Sequence, residues 1–497
     1  MTTDVVAVPA AAVRTVTVPV TGERSGSGPL TWGQQAIWKS VVALARDGFW
    51  PTVRRLVTVS ASRRLTVEEA THALAALVSR HETLRTRIVD GDGCPRQVVD
   101  ATGSLAVRVI PVAPAPPQPS ALVPETHTPV WVPAAHAPVI DAIVAERVAT
   151  PLEPDRDWPL TATLVTVDEH VRYLVLVVHH VALDQHATER LLGELRTVLR
   201  GRTITEPVGE RPLDLAARER TDAGATERAL HYWGRTYTDL ASEQLPVMDP
   251  TGPAGVLECR FASWTLGPAL DQLAARHQVS TAAVAAAAVA VVLGRRAGLA
   301  CCGLLIVVAN RFQPGHDRIV APMSQLGLLS LDVTAGDPAR PETLHTVIPA
   351  AWRSALQAYR HARYDQAAMD ALLARSGRGT DTDVDPRCCL NDLRTDLPWT
   401  ARPISRPAPP SRLTWVPKPA LNWHFYVEIQ DLSDHLVLAC QADTRRMPAP
   451  ALEAFARDVE GYVVGAAAAQ APVRQVHPDQ DLTDQHHTDQ HLREGLQ

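Results

Sequence analysis

The residues most able to do chemistry are His179, His180 and Asp184, in the run Val177-Val178-His179-His180-Val181-Ala182-Leu183-Asp184-Gln185. A neutral imidazole, with an ordinary pKa near ~6.5, accepts or relays a proton at neutral pH, which suits general-base work on an amine or hydroxyl nucleophile. Asp184, four positions beyond His180, is one candidate for the orienting acid of a triad. Metal binding fits poorly: neighbouring side chains in an extended segment diverge, and neither HExxH nor facial-triad spacing is present.

The elements that must hold these groups are legible around them. Val171 to Val178 (VRYLVLVV) is rich in β-branched residues and too short to span a bilayer, so it predicts a buried strand. Thr188 to Leu199 places Leu191, Leu192, Leu195, Val198 and Leu199 on one helical face. A buried strand that delivers titratable residues into a loop before a helix is where open sheets place their chemistry. Alternation along the strand allows only one of His179 and His180 to line a cavity.

The segment resembles the HHxxxDG motif of nonribosomal peptide synthetase condensation domains, within the chloramphenicol acetyltransferase-like superfamily. Other pieces follow in that family's order: Leu30 to Trp38 (LTWGQQAIW), Arg80 to Arg87 (RHETLRTR), Tyr232-Trp233, Gly303 to Arg311 (GLLIVVANR), Gln325 to Val333 (QLGLLSLDV), Tyr364-Asp365 and Asn391-Asp392. The resemblance spans about residues 28 to 470. It implies an α/β fold (an α+β sandwich) of two lobes, arranged as a V-shaped pseudo-dimer with a channel between them. It implies His180 as the catalytic, channel-facing residue and His179 as structural. Asp184 is then a structural residue salt-bridged to an arginine, with Arg85 the preferred partner and Arg80 the runner-up. Asn391 and Trp423 are candidates for the acceptor side, with plain packing the alternative. The chain departs from the motif at Gln185, where the family has Gly: either positive φ is not needed there, or the channel is reshaped, or activity is lost.

Composition agrees with a globular protein. The 497 residues exceed a single core and predict two or more domains, with 46% apolar and 21% charged residues. A net charge of −6 without a dense basic block argues against nucleic acid or an anionic membrane as the main partner. The longest apolar helix candidate, Ala282 to Leu293, is too short to cross a bilayer; Ser280 or Thr281 is expected to cap it and Gly294 to end it. The N-terminus shows no secretion signal, and seven cysteines without CxxC spacing fit reduced thiols, so a cytoplasmic location is expected.

Along the chain, residues 1–29 read as an N-terminal extension, with a peripheral strand at Val13 to Val20 and a flexible Gly22 to Gly28. Residues 30–205 read as the first lobe, 206–227 as a crossover linker, 228–473 as the second lobe and 474–497 as a disordered tail. Its His477, His486, His487 and His491 are expected to be solvated, with weak metal binding the alternative. Pro111 to Pro138 reads as a surface connection, and Pro398 to Pro419, with seven prolines, as a long loop.

The expected function is that of a freestanding condensation-type acyltransferase with no bound cofactor. An acyl or peptidyl carrier protein would deliver the donor on its phosphopantetheine arm, and a small-molecule or carrier-bound amine or alcohol would accept it. Two alternatives stay open: a coenzyme A-dependent acyltransferase of the same fold, and a non-catalytic module that docks carrier-bound partners.

Overall fold

The computed structural model describes residues 13–45, 51–91, 94–115, 120–123, 130–150, 152–240, 245, 247, 251–252, 255–376, 388–394, 408–418, 423–432 and 434–469. The first lobe is built from β1 (Arg14–Thr21), β2 (Gly26–Pro29), α1 (Trp32–Ala45), β3 (Thr52–Thr58), α2 (Val67–Arg80), β4 (Thr86–Gly91), β5 (Cys94–Val99) and β6 (Thr102–Pro111). It continues with β7 (Ser120–Val123), β8 (Val130–Pro133), α3 (Ala137–Ala149), β9 (Leu160–Val167), β10 (His170–His179) and α4 (Gln185–Leu199). Its main sheet has the order β1-β6-β9-β10-β3, parallel only between β6 and β9. The run read as a buried strand is β10, in the sheet interior, and Leu174, Leu176 and Val178 join α2 and α4 in the core of one face. Tyr173 and Val175 pack with α3 on the other face.

After α5 (Pro212–Glu219) and α6 (Ala223–Thr238), the second lobe comprises β11 (Val256–Ser263), α7 (Leu266–His277), α8 (Thr281–Ala297), β12 (Cys301–Val308), β13 (Gln325–Asp332) and α9 (Leu344–Arg360). α10 (Gln366–Arg375), β14 (Cys388–Asp392), β15 (Arg412–Lys418), β16 (Phe425–Asp431), β17 (Leu436–Asp443) and α11 (Ala449–Ala468) complete it. Its seven strands run β13-β12-β14-β16-β17-β11-β15. One face carries the large core with α7, α8, α9 and α11, and part of the other packs on α6 and α10. The architecture is two mixed helix-and-sheet lobes.

Local chemistry explains the element boundaries. Thr66 and Glu69 form a reciprocal capping box at the start of α2. Ser280 caps α8, but Gly294 does not end it: the helix runs on to Ala297 and stops at Gly298, whose φ of +68° supplies the left-handed turn. α8 is buried throughout from Ala283 to Gly294. Among the described residues no single helix is long and apolar enough to cross a membrane.

Three segments differ from expectation. Gly22 to Gly28 is not a loose lead-in, because Gly26–Pro29 pairs with β5, and a Cβ at Gly26 would lie 2.9 Å from Leu213 of α5. Residues 14–29 therefore belong to the first lobe's strands rather than extending from it. The 206–227 segment holds a full helix, α5, because Leu215 and Ala216 are apolar positions three to four residues from Pro212 and Glu219 and bury together. Within 398–419, Arg412–Lys418 forms the edge strand β15, where Pro417 is tolerated; residues 398–407 and 419 lie outside the described residues, as does the 474–497 tail. The Pro111 to Pro138 stretch contains the β7–β8 ribbon.

Candidate active site

His179 and His180 end β10 and enter a tight turn, where the amide of His180 donates to the Pro51 carbonyl at 3.0 Å. The two rings are treated oppositely. His179 is 1% exposed, and its Nδ1 accepts from the Val181 amide at 3.2 Å. Burial, reinforced by His180, pushes its pKa down to about 4, so the ring stays neutral. His180 is half-buried, and its Nδ1 donates to the Leu183 carbonyl at 2.8 Å. A carbonyl only accepts, so this bond puts the proton on Nδ1 and leaves the Nε2 lone pair available in the neutral ring.

Asp184 caps α4, accepting from the Ala187 amide at 2.8 Å. Its carboxylate, 2% exposed, also joins the lobes. Arg311 Nη2 donates to it at 2.9 Å, the Met323 amide at 2.9 Å, and Ser324 through its amide at 3.2 Å and its hydroxyl at 3.1 Å. The arginine is thus neither Arg85 nor Arg80. Arg85 turns back on α2, donating to the Val78 carbonyl at 2.9 Å, to Ser79 at 3.4 Å and to the Asp100 carbonyl, which satisfies helix-end acceptors. Arg80 pairs with Glu194 of α4 at 3.1 Å, beside His81 at 2.6 Å from the same oxygen. The RHETLRTR segment reaches the histidine turn through Thr83 instead, whose hydroxyl donates to the Ala182 carbonyl at 2.7 Å.

Gln185 is the first residue of α4 and is absent from the positive-φ positions, so the backbone here does not require glycine. Its carbonyl oxygen accepts from Arg55, a β3 residue 4% exposed that also faces Glu189 at 3.5 Å. Gln185→Gly is expected to cost about 2–4 kcal/mol in a urea titration, about 1 for glycine in the helix and the rest for the lost bond to buried Arg55, without unfolding the lobe. Asn391 and Trp423 fall together on the second lobe. Asn391 donates to the Tyr426 hydroxyl at 2.8 Å, and Trp423 stacks on the Tyr426 ring. Among the described residues no group of three or more His, Cys, Asp or Glu could hold a metal ion.

Beside the joint, Glu219 of α5 accepts from the Trp32 amide at 2.8 Å, and burial pushes its pKa up to about 7. The folded state therefore holds this proton between the ordinary 4.5 and about 7, and stability is lost as pH rises through that window. Glu219→Gln is expected to raise the midpoint of thermal unfolding at pH 8. The gain, on the order of 2–3 kcal/mol, should vanish below pH 4.5.

The family model described as Condensation domain matches residues 55–383. The chain belongs to the condensation-domain family. Cyclosporin synthetase simA of Tolypocladium inflatum is 28% identical over 280 residues, 53% of this chain and 2% of that protein. The chain spans 13% or less of the first curated relatives it matches. A condensation domain that mediates chain release from the enacyloxin polyketide synthase superposes with a TM-score of 0.64 at 20% identity, covering 91% of this chain and 86% of its own. The X-domain of teicoplanin biosynthesis, solved in complex with OxyB, gives 0.62 at 17% identity, covering 88% and 93%. At these identities the solved structures bear on the fold, which is that of condensation domains.

Arg311, Arg55, Thr83 and the Met323-Ser324 amides were not singled out from sequence for these contacts. Arg311 closes the GLLIVVANR segment, but nothing local ties it to an aspartate 127 residues earlier.

Proposed function

We propose that this condensation domain is an acyltransferase that joins an acyl thioester to an amine or an alcohol, forming an amide or ester. The observation that carries this reading is the Nδ1–H bond from the half-buried His180 ring to Leu183, which leaves the Nε2 lone pair available four residues from the interlobe joint at Asp184. The nucleophile attacks the thioester carbonyl as Nε2 takes or orients its proton. Collapse of the tetrahedral adduct expels the thiolate, which receives that proton. Because the thioester is already activated, holding both substrates in register contributes as much as proton transfer. The donor arrives on the phosphopantetheine arm of a carrier protein, in cis or in trans, and the acceptor comes from the opposite side. The test incubates the protein with acylated carrier protein, or with the same acyl group on coenzyme A, and a panel of amines and alcohols, with products read by mass spectrometry. New amide or ester with the carrier-bound donor supports the reading; none with any donor rejects it.

A second reading, recruitment of partners without chemistry, is favoured by Gln185, whose side chain with Arg55 stands beside the turn where the resembled HHxxxDG motif has glycine. Carrier binding without turnover would select it.

A further inference from the structure

Two carboxylates stand on one face of the second-lobe sheet with opposite surroundings. Register places Tyr426, Gln441 and Glu258 in one row across β16, β17 and β11. The next row holds Asn391 of β14, Glu428, Ala439 and Arg260. Alternation sends Phe425, Val427 and Ile429 into the core and leaves Tyr426 and Glu428 on the opposite face, partly exposed. Glu258 is fully met there: Arg260 at 2.6 Å, Lys418 at 3.0 Å and the Gln441 amide at 2.6 Å.

Glu428 has no cationic partner within ion-pair distance among the described residues. It accepts from the Gln430 amide and, at 3.4 Å, from the Tyr426 hydroxyl, which itself accepts from Asn391. Burial, with the negative charge of Glu258 nearby, pushes its pKa up against the pull of the Gln430 hydrogen bond and of Arg260 and Lys418, which sit closer to Glu258. The apolar cluster under α6 and α10 reaches as far as Tyr426. Across from it stands the first lobe: the charge of Glu428 acts on Arg55, which donates to Gln185, the neighbour of Asp184. Arg55 has its own carboxylate, Glu189, so it does not neutralise Glu428.

We propose that Glu428, with Asn391, Tyr426 and Gln430 around it, is a recognition site for the acceptor, selecting one that carries a second, cationic amino group besides its nucleophile. This rests on the acyl-transfer reading. A cation brought to Glu428 gives its carboxyl an ion-pair partner at contact distance, whereas a neutral group does not.

The test needs no acyl donor, so its failure is separable from failure of the acyl-transfer reading. The full chain is titrated calorimetrically with 4-aminobutan-1-ol and with butane-1,4-diol, which differ only in the cationic group. Saturable aminoalcohol binding at least ten-fold tighter than the diol is expected, with Glu428→Gln abolishing the preference and Glu428→Asp, which keeps the charge, retaining it. Coincident thermal unfolding of wild type and variants verifies the fold. Equal binding of the two ligands, no saturable aminoalcohol binding, or a preference that survives in Glu428→Gln overturns the proposal.

Discussion

His180→Ala is expected to lower product formation from a carrier-bound thioester by about 10²- to 10⁴-fold, the range that a positioned general base contributes. The fold should survive. The ring is half-buried, its one hydrogen bond is to Leu183 three residues away, and the backbone amide that donates to Pro51 is unchanged by the substitution. The thermal midpoint should therefore shift little, and carrier-protein binding should persist. His180→Gln keeps a polar side chain but supplies no basic lone pair, so it should be equally inactive. Unchanged turnover in both variants would remove this imidazole from the chemistry. His179→Ala should behave in the opposite way: the ring is buried, so its removal opens a cavity and costs stability first.

Asp184→Ala should produce the largest loss of stability, about 3–5 kcal/mol, because it strands the guanidinium of Arg311 inside the protein. Arg311 is 5% exposed in its side chain, and burial already pushes its pKa down against the pull of Asp184. The substitution also removes the α4 cap, worth about 1 kcal/mol, and leaves the Met323 and Ser324 amides without their acceptor. A double-mutant cycle is the discriminating measurement. Arg311→Met alone should be nearly as costly, while Asp184→Ala with Arg311→Met should cost clearly less than the sum, since no charge is then left unpaired. Additive losses in urea midpoints would mean that the pair does not couple the lobes. Arg85→Met, by contrast, should weaken the end of α2 and show no coupling to Asp184.

The difference between these two arginines shows where sequence reasoning stops. Strand β10 was legible from its β-branched run, α4 from its apolar spacing, and the divergence of the two histidines from alternation, because each depends on neighbours within a few residues. The partner of Asp184 depends on how residues 311–324 of the second lobe wrap the start of α4, and no local pattern ranks 48 lysines and arginines for that contact. Gln185 gave a similar lesson. Read alone, its place beside the aspartate raised the question of positive φ; the structure puts it in the first turn of a helix, where any side chain fits, and gives it Arg55 as a neighbour.

Composition, periodicity and the ordered motifs were enough to place this chain in its family, with two lobes and His180 as the candidate base. These signals are local, and they survive in one dimension. Which arginine meets Asp184, which ring nitrogen of His180 carries the proton, and the different surroundings of Glu258 and Glu428 on the far lobe were decided only by the packed molecule. Each of those is a contact or a burial between segments far apart in the chain, and burial sets the strength of charges in a way that residue order does not encode.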